Sequence, residues 1–322
     1  MLKPVIWIIS DPKPGTLAQA VGLADRLGGA DRVIEARPRF PWRFLPARCW
    51  LLARYALQEP LTGPLPELVI AAGRSAVAPA AALRSARCRV VALLDPRMDP
   101  ARFDLVIAPR HDRLQGASVL STLGGLHRLT PERIADAARL AAPRYAGLPR
   151  PLLAVMLGGP TRHLTFSEAD AAALGAQLAL TARQQGAALA VTASRRTPPE
   201  AVAAFRRALT DIPHDFYDPR HPDGENPYPG LLGLADHVLV TEDSTSMISE
   251  ATMSGRPLHL LPLSGKAGKF ALFADDLMAG GYARRFDGTL PVWQPPPLDE
   301  TGRAARAVVG LLIDPPKSHI PA

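Results

Sequence analysis

Nine short apolar runs, each four to six residues long and separated by stretches of helical character, constrain this 322-residue chain more than any other feature. The runs are Val5–Ser10, Arg32–Ala36, Leu68–Ala72, Val90–Leu94 and Leu105–Ala108, then Leu152–Leu157, Ala188–Thr192, His237–Thr241 and Leu258–Leu261. Continuous apolar runs of this length are what a parallel sheet buries on both faces. Helical segments are expected between them at 17–27, 75–86, 131–142, 167–185, 199–209, 246–254, 270–279 and 300–313. Thr130 and Pro131 give the third of these a cap and a first-turn proline. The cycle breaks once, at Ala141–Pro151, where three prolines and a glycine read as a linker.

The pattern predicts an α/β chain of two tandem Rossmann-like parallel-sheet domains, residues 1–145 and 146–322, facing across a cleft. The last helix, 300–313, would pack back on the N-terminal domain. Parallel sheets of this kind bind ligands at the carboxyl ends of their strands. The loops after the strands are therefore where chemistry is sought.

Charge is uneven between the halves. Residues 1–150 carry 22 Lys+Arg against 12 Asp+Glu, and the remainder 15 against 18. A basic first half invites an anionic partner, but no nucleic-acid motif accompanies it, so nucleic acid is not expected. Cys49 and Cys88 make neither a metal spacing nor a disulfide framework, which fits a reducing compartment. The run Val5–Ile9 meets Asp11 too soon for a secretory leader, and no apolar stretch is long enough for a membrane span. The expected location is cytoplasmic, either free or peripheral on the inner face of the membrane.

In the second half, Val238–Val240 runs into a hydroxyl-rich turn and a short helix that stops at Gly255-Arg256-Pro257. A strand end feeding a helix N-terminus leaves backbone N–H groups aimed at one spot, an anion site. Ser244 and Ser246 add hydroxyls to it. Glu250, one turn in, suits neutral hydroxyls, and phosphate beside hydroxyls reads as a nucleotide-sugar. The plain alternative is a helix capped by Ser246 with Glu250 in solvent. Gly158 and Gly159 suit a backbone passing close to a pyrophosphate or to the facing domain. Ser194, Arg195, Arg196 and Thr197 cluster donors fit for phosphate oxygens. Asn226 and Tyr228 could meet a base.

In the first half, Asp11 and Lys13 precede a helix, and Gly73-Arg74 forms another strand-to-helix junction. Asp95, Arg97, His111 and Asp112 follow two further strands, and His111 with Asp112 is the candidate general base. The segment Arg37–Tyr55 interleaves five arginines with Phe40, Trp42, Phe44 and Trp50. It reads either as a contact for an anionic membrane surface or as a loop packed on the core.

Thr192-Ala-Ser-Arg-Arg-Thr-Pro198, Asn226-Pro-Tyr228, Asp243-Ser-Thr-Ser-Met-Ile-Ser-Glu-Ala251 and Pro109-Arg-His-Asp112 resemble the signatures of the mitochondrial-fission, or elongated-mitochondria, family. That family is in turn similar to GT-B-type glycosyltransferases. The resemblance implies that Ser244, Ser246 and Met247 lie against phosphate and that Glu250 takes ribose hydroxyls. Asp11, Lys13, Gly73, Arg74, Asp95 and Arg97, in the loops of the basic first half, form the expected acceptor side.

The leading expectation is transfer of a sugar from a nucleoside-diphosphate-sugar to an acceptor, lipid-linked in one form of the reading. Arg195, Arg196 and the helix dipole would take the departing diphosphate, so no cofactor and no metal is required. One alternative is a membrane or protein adaptor that kept the fold without turnover. A nucleotide-sugar epimerase is a weaker one, because a glycine-rich dinucleotide loop and a Tyr-x-x-x-Lys pair are both missing from the sequence.

Overall fold

A computed structural model describes residues 3–266 and 268–313. In chain order the first elements are β1 (Ile6–Ser10), α1 (Pro14–Arg26), β2 (Arg32–Glu35), β3 (Leu68–Ala72), α2 (Arg74–Ala81), β4 (Arg89–Leu93), β5 (Leu105–Pro109) and β6 (Val119–Thr122). Next come α3 (Pro131–Tyr145), β7 (Leu152–Leu157), α4 (Glu168–Gln185), β8 (Ala188–Ala193), α5 (Pro199–Ala208), β9 (His214–Tyr217) and α6 (Tyr228–Leu234). The last are β10 (His237–Thr241), α7 (Thr245–Thr252), β11 (Leu258–Leu261), α8 (Lys269–Ala279), β12 (Arg284–Arg285) and α9 (Glu300–Ile313).

The strands make two six-stranded parallel sheets, ordered β2-β1-β3-β4-β5-β6 and β12-β11-β10-β7-β8-β9. Their central strands are buried along their whole length, as two-sided coverage requires. In the first sheet Trp7, Ile9, Val69, Ala71, Val90 and Ala92 share one apolar cluster. Their sequence neighbours Ile6, Ile8, Leu68, Ile70, Val91 and Leu93 share the cluster on the opposite face, with α1 and α9. In the second sheet Leu153, Val155, Leu189, Val191 and Leu239 pack with residues of α4 and α5. This is the α/β architecture of paired Rossmann-like domains that the sequence pattern predicts.

Two compact units result. Residues 3–128 with 299–313 form the first, and residues 129–298, apart from the undescribed 267, form the second. Helix α9 packs on α1 in the first unit. Helix α3, assigned from sequence to the first domain, belongs to the second unit, so the division falls at 128/129 rather than 145/146. The reason is local. Gly230 and Gly233 let α6 approach so closely that a Cβ at either would come within 2.6 and 2.9 Å of Ala141 and Ala138. Arg144 then donates two hydrogen bonds of 2.9 Å to Asp215 and binds Asp223 as well. The first five residues of the expected linker are thus the end of a docked helix.

Candidate functional site

In the second unit the turn after β10 is organised by a carboxylate. The Asp243 side chain is wholly buried. Its Oδ2 accepts from the Gly159 N–H at 2.9 Å and from the Arg196 guanidinium at 2.7 Å, and its Oδ1 accepts from the Thr241 hydroxyl at 2.6 Å. The Thr241 hydroxyl accepts in turn from the Gly158 N–H at 2.8 Å. Strands β8 and β10 flank β7, so their ends stand roughly 10 Å apart. The Arg196–Asp243 pair therefore crosses the end of β7 and ties the three loops together.

The glycines answer to this knot. A Cβ on Gly158 would lie 2.2 Å from both Asp243 carboxylate oxygens, and one on Gly159 would lie 2.3 Å from the Arg196 carbonyl. The space they leave is filled by protein, where the sequence suggested a pyrophosphate or a facing domain. Thr197 is likewise internal: its hydroxyl donates to the Leu157 carbonyl at 3.0 Å and accepts from the Ser194 N–H at 2.9 Å. The Ser194 hydroxyl accepts from the Arg196 N–H at 3.2 Å. The arginine pair is divided. Arg196 is engaged with Asp243, while Arg195 is exposed and, among the described residues, has no hydrogen bond or ion pair.

Helix α7 starts at Thr245, with Ser244 rather than Ser246 as its cap. The Ser244 hydroxyl accepts from the Met247 N–H at 3.4 Å. The N–H groups of Thr245 and Ser246 precede the first possible intrahelical acceptor and are open. The Ser246 side chain is exposed and Met247 half-buried. Glu250 is half-buried rather than free in solvent. Its Oε2 accepts from the Tyr228 hydroxyl at 2.5 Å, which ties α7 to the start of α6. Burial pushes the Glu250 carboxyl above its ordinary value, and the Tyr228 donation opposes that rise. Burial and the adjacent carboxylate push Tyr228 well above the usual phenol range. Asn226, read with Tyr228 as a base contact, accepts from the Tyr228 N–H at 3.1 Å and shapes the entry to α6.

In the first unit Asp11 is buried and caps α2, accepting from the N–H groups of Arg74 at 3.0 Å and Ser75 at 2.8 Å. Gly73, at φ +92°, gives it room, since a Cβ there would lie 2.4 Å from Asp11 Oδ2. An acidic group thus occupies the α2 N-terminus, where the sequence placed acceptor binding. Lys13 is exposed at the start of α1 and Arg74 is exposed at the start of α2. Asp95 accepts from the Arg97 N–H at 2.8 Å and pairs with its guanidinium at 3.0 Å, a local turn closed on itself. His111 and Asp112 follow β5. Their side chains approach only to 3.9 Å, beyond hydrogen-bond range, and the imidazole is nearly buried.

Thr241 and Asp243 are the residues to which sequence reasoning gave no role: the one stood in the hydroxyl-rich turn and the other in the quoted motif. The available signal was an acidic residue just after an apolar strand, paired with two consecutive glycines after another. Glu242 beside them is buried, 3.1 Å from Arg285.

The family model described as mitochondrial fission ELM1 matches residues 14–312. The chain belongs to this family. As a mitochondrial fission ELM1 family member it is 30% identical over 287 residues to the mitochondrial fission protein ELM1 of Arabidopsis thaliana, a match covering 80% of this chain and 65% of that protein. The chain thus spans just under two thirds of the plant relative. It is 26% identical over 349 residues to the uncharacterized protein RP120 of Rickettsia prowazekii strain Madrid E, covering 94% of this chain and 97% of that one. Among solved structures, a UDP-GlcNAc 2-epimerase from Neisseria meningitidis, bound to UDP-GlcNAc, superposes with a TM-score of 0.55 at 10% identity, covering 96% of this chain and 99% of that one. That likeness concerns the fold, which is of the GT-B type.

Chemically, the loops after β8 and β10 in this ELM1-family chain offer an open helix N-terminus, one unpaired guanidinium and a carboxylate held by a phenol. Among the described residues no group of three or more His, Cys, Asp or Glu is placed to hold a metal ion. Nor is any helix among them long and apolar enough to cross a membrane.

Proposed function

We propose that the second unit binds a nucleoside-diphosphate-sugar at the ends of β7, β8 and β10, and that the protein transfers the sugar to an acceptor hydroxyl. The observation that carries this reading is the Arg196–Asp243 bridge. It locks the loop bearing Arg195 against the loop that opens α7, and leaves Arg195 and the α7 N–H groups unengaged. An unpaired guanidinium beside an open helix end is an arrangement for a diphosphate. Glu250, fixed by Tyr228, is the hydroxyl acceptor of the same site and would take the ribose. During transfer the charge that develops on the departing diphosphate would be met by Arg195 and by the α7 dipole, of which the dipole is fixed before the ligand arrives.

The test is a thermal-shift and calorimetric screen of UDP and GDP, with UDP first because the Neisseria structure holds a UDP-sugar. At about 100-fold over Kd the stabilisation is about 2.7 kcal/mol, or roughly 5–10 °C for a unit of this size. Arg195→Ala and Glu250→Ala should each weaken it. If no nucleoside diphosphate shifts the melt, the reading fails.

A non-catalytic adaptor has one observation on its side: Asp11, Asp95, Arg196 and Thr197 are all engaged with the chain itself. Hydrolysis or transfer of a bound UDP-sugar separates the two readings. The epimerase reading gains a likeness of fold. The motifs counted against it belong to a dinucleotide-dependent enzyme and do not bear on that likeness.

A further inference from the structure

Between β2 and β3 the chain makes three short 3-10 turns, at Trp42–Phe44, Ala47–Cys49 and Ala53–Tyr55. Their inward side is small and apolar: Ala47, Ala53 and Leu57 are buried in the first unit's core, with Trp50 packed against it. The tryptophans brace the loop. Trp42 Nε1 donates to the Leu51 carbonyl at 2.9 Å, and Trp50 Nε1 to the Leu45 carbonyl at 3.0 Å. What faces out is apolar. Leu51 is 83% exposed, Phe40 74%, Leu52 73% and Phe44 68%.

The same segment carries guanidinium groups without acidic partners. Arg43 lies over the Phe44 ring and Arg54 over the Tyr55 ring, at 4.6 and 5.0 Å. Arg48 is exposed, and Arg39 donates to the Gln58 carbonyl at 2.9 Å. Among the described residues none of the four has an ion pair, and residues 36–58 contain no Asp or Glu. Arg39, Arg54 and Tyr55 also line a cavity of about 350 Å³.

We infer that this face docks on an anionic phospholipid bilayer, with Phe40, Phe44, Leu51 and Leu52 entering the headgroup region and the four arginines pairing with lipid phosphates. Exposed apolar side chains interleaved along one short segment with cations that have no ion pair, on a backbone braced by its own indoles, match the two components of interfacial binding. An acidic protein surface would satisfy the arginines but leave the leucines and phenylalanines uncovered. The inference does not depend on the nucleotide-sugar reading.

Co-sedimentation of the full chain with phosphatidylcholine vesicles, with and without phosphatidylglycerol, tests it. Binding is expected to the anionic vesicles alone and should weaken as salt is raised. Arg43→Gln with Arg48→Gln should lower partitioning by roughly fivefold for each charge removed. Leu51→Ser with Leu52→Ser, at unchanged charge, should lower it by roughly a hundredfold if each side chain is half-buried in the headgroup region. Both pairs are exposed, so the variants should melt with the parent chain and still respond to UDP as it does. Absence of vesicle binding overturns the inference, as does binding that the leucine pair does not affect. Self-association abolished by the leucine pair, without vesicle binding, would assign the face to a second copy instead.

Discussion

A methyl group at residue 158 would sit 2.2 Å from both carboxylate oxygens of Asp243. Asp243 cannot move aside without releasing the Gly159 N–H, the Thr241 hydroxyl and Arg196 together. Gly158→Ala is therefore expected to destabilise by about 2–4 kcal/mol in urea titration. Gly15, with nothing within 4 Å of its missing Cβ inside α1, should tolerate alanine with no loss and a gain of up to about 1 kcal/mol. Asp243→Asn removes the charge opposite Arg196 and should cost about 2 kcal/mol. Arg195→Ala should leave stability within about 0.5 kcal/mol and weaken UDP binding by roughly tenfold or more. An equal stability loss in both variants would refute the division between a structural and a ligand-facing residue. At this scale the sequence was only partly legible. It flagged Gly158, Arg195 and Glu250, because glycine pairs and charged residues after strands are visible locally. It did not show that Gly158 serves Asp243, since their meeting depends on β7 and β10 being neighbours.

The same limit appears among the elements. Strands buried on both faces, such as Leu68–Ala72 and Leu152–Leu157, are apolar throughout and were readable within a residue or two. The sheet-edge strands β6, β9 and β12 are short, with at most two apolar or aromatic residues each, and no longer apolar run marks them. Helix α6 opens on Tyr-Pro-Gly and looks like a loop until α3 is seen to pack on it. Between β10 and β11, His237 Nδ1 and His259 Nε2 lie 3.1 Å apart, both rings buried. Burial, with His237 beside it, lowers His259 from 6.5 to about 4. Burial lowers His237 as well. Below pH 6.5 the unfolded chain takes up these protons and the folded chain resists, so stability is full above about 6.5. It should fall as pH drops towards 4, by about 3 kcal/mol for His259. His259→Gln retains a hydrogen-bonding group facing His237 and cannot titrate. Urea midpoints between pH 7 and 4.5 should change less steeply in that variant, and an unchanged slope would locate the acid sensitivity elsewhere.

For the whole molecule, the two units differ in how the chain builds them. The first closes only when α9, from the far end of the sequence, packs on α1. The second is one continuous segment with its own sheet and its own core. Every residue assigned to diphosphate or ribose binding, from Gly158 to Glu250, lies inside that segment. A protein of residues 129–298 should therefore fold and bind UDP with a Kd within about threefold of the full chain, because the binding groups and the Asp243 knot are intact. Calorimetry of the full chain carries the stronger version of the argument. A ligand stabilises only what it binds, so UDP should raise the unfolding transition of the second unit and leave that of the first unmoved. Gly158→Ala should lower the same transition that UDP raises, since both act on the loops that Asp243 holds. If UDP instead moved both transitions equally, or if the isolated segment folded without binding it, the binding groups could not all belong to the second unit. The helix-end and arginine arrangement on β8 and β10 would then not suffice as the ligand site.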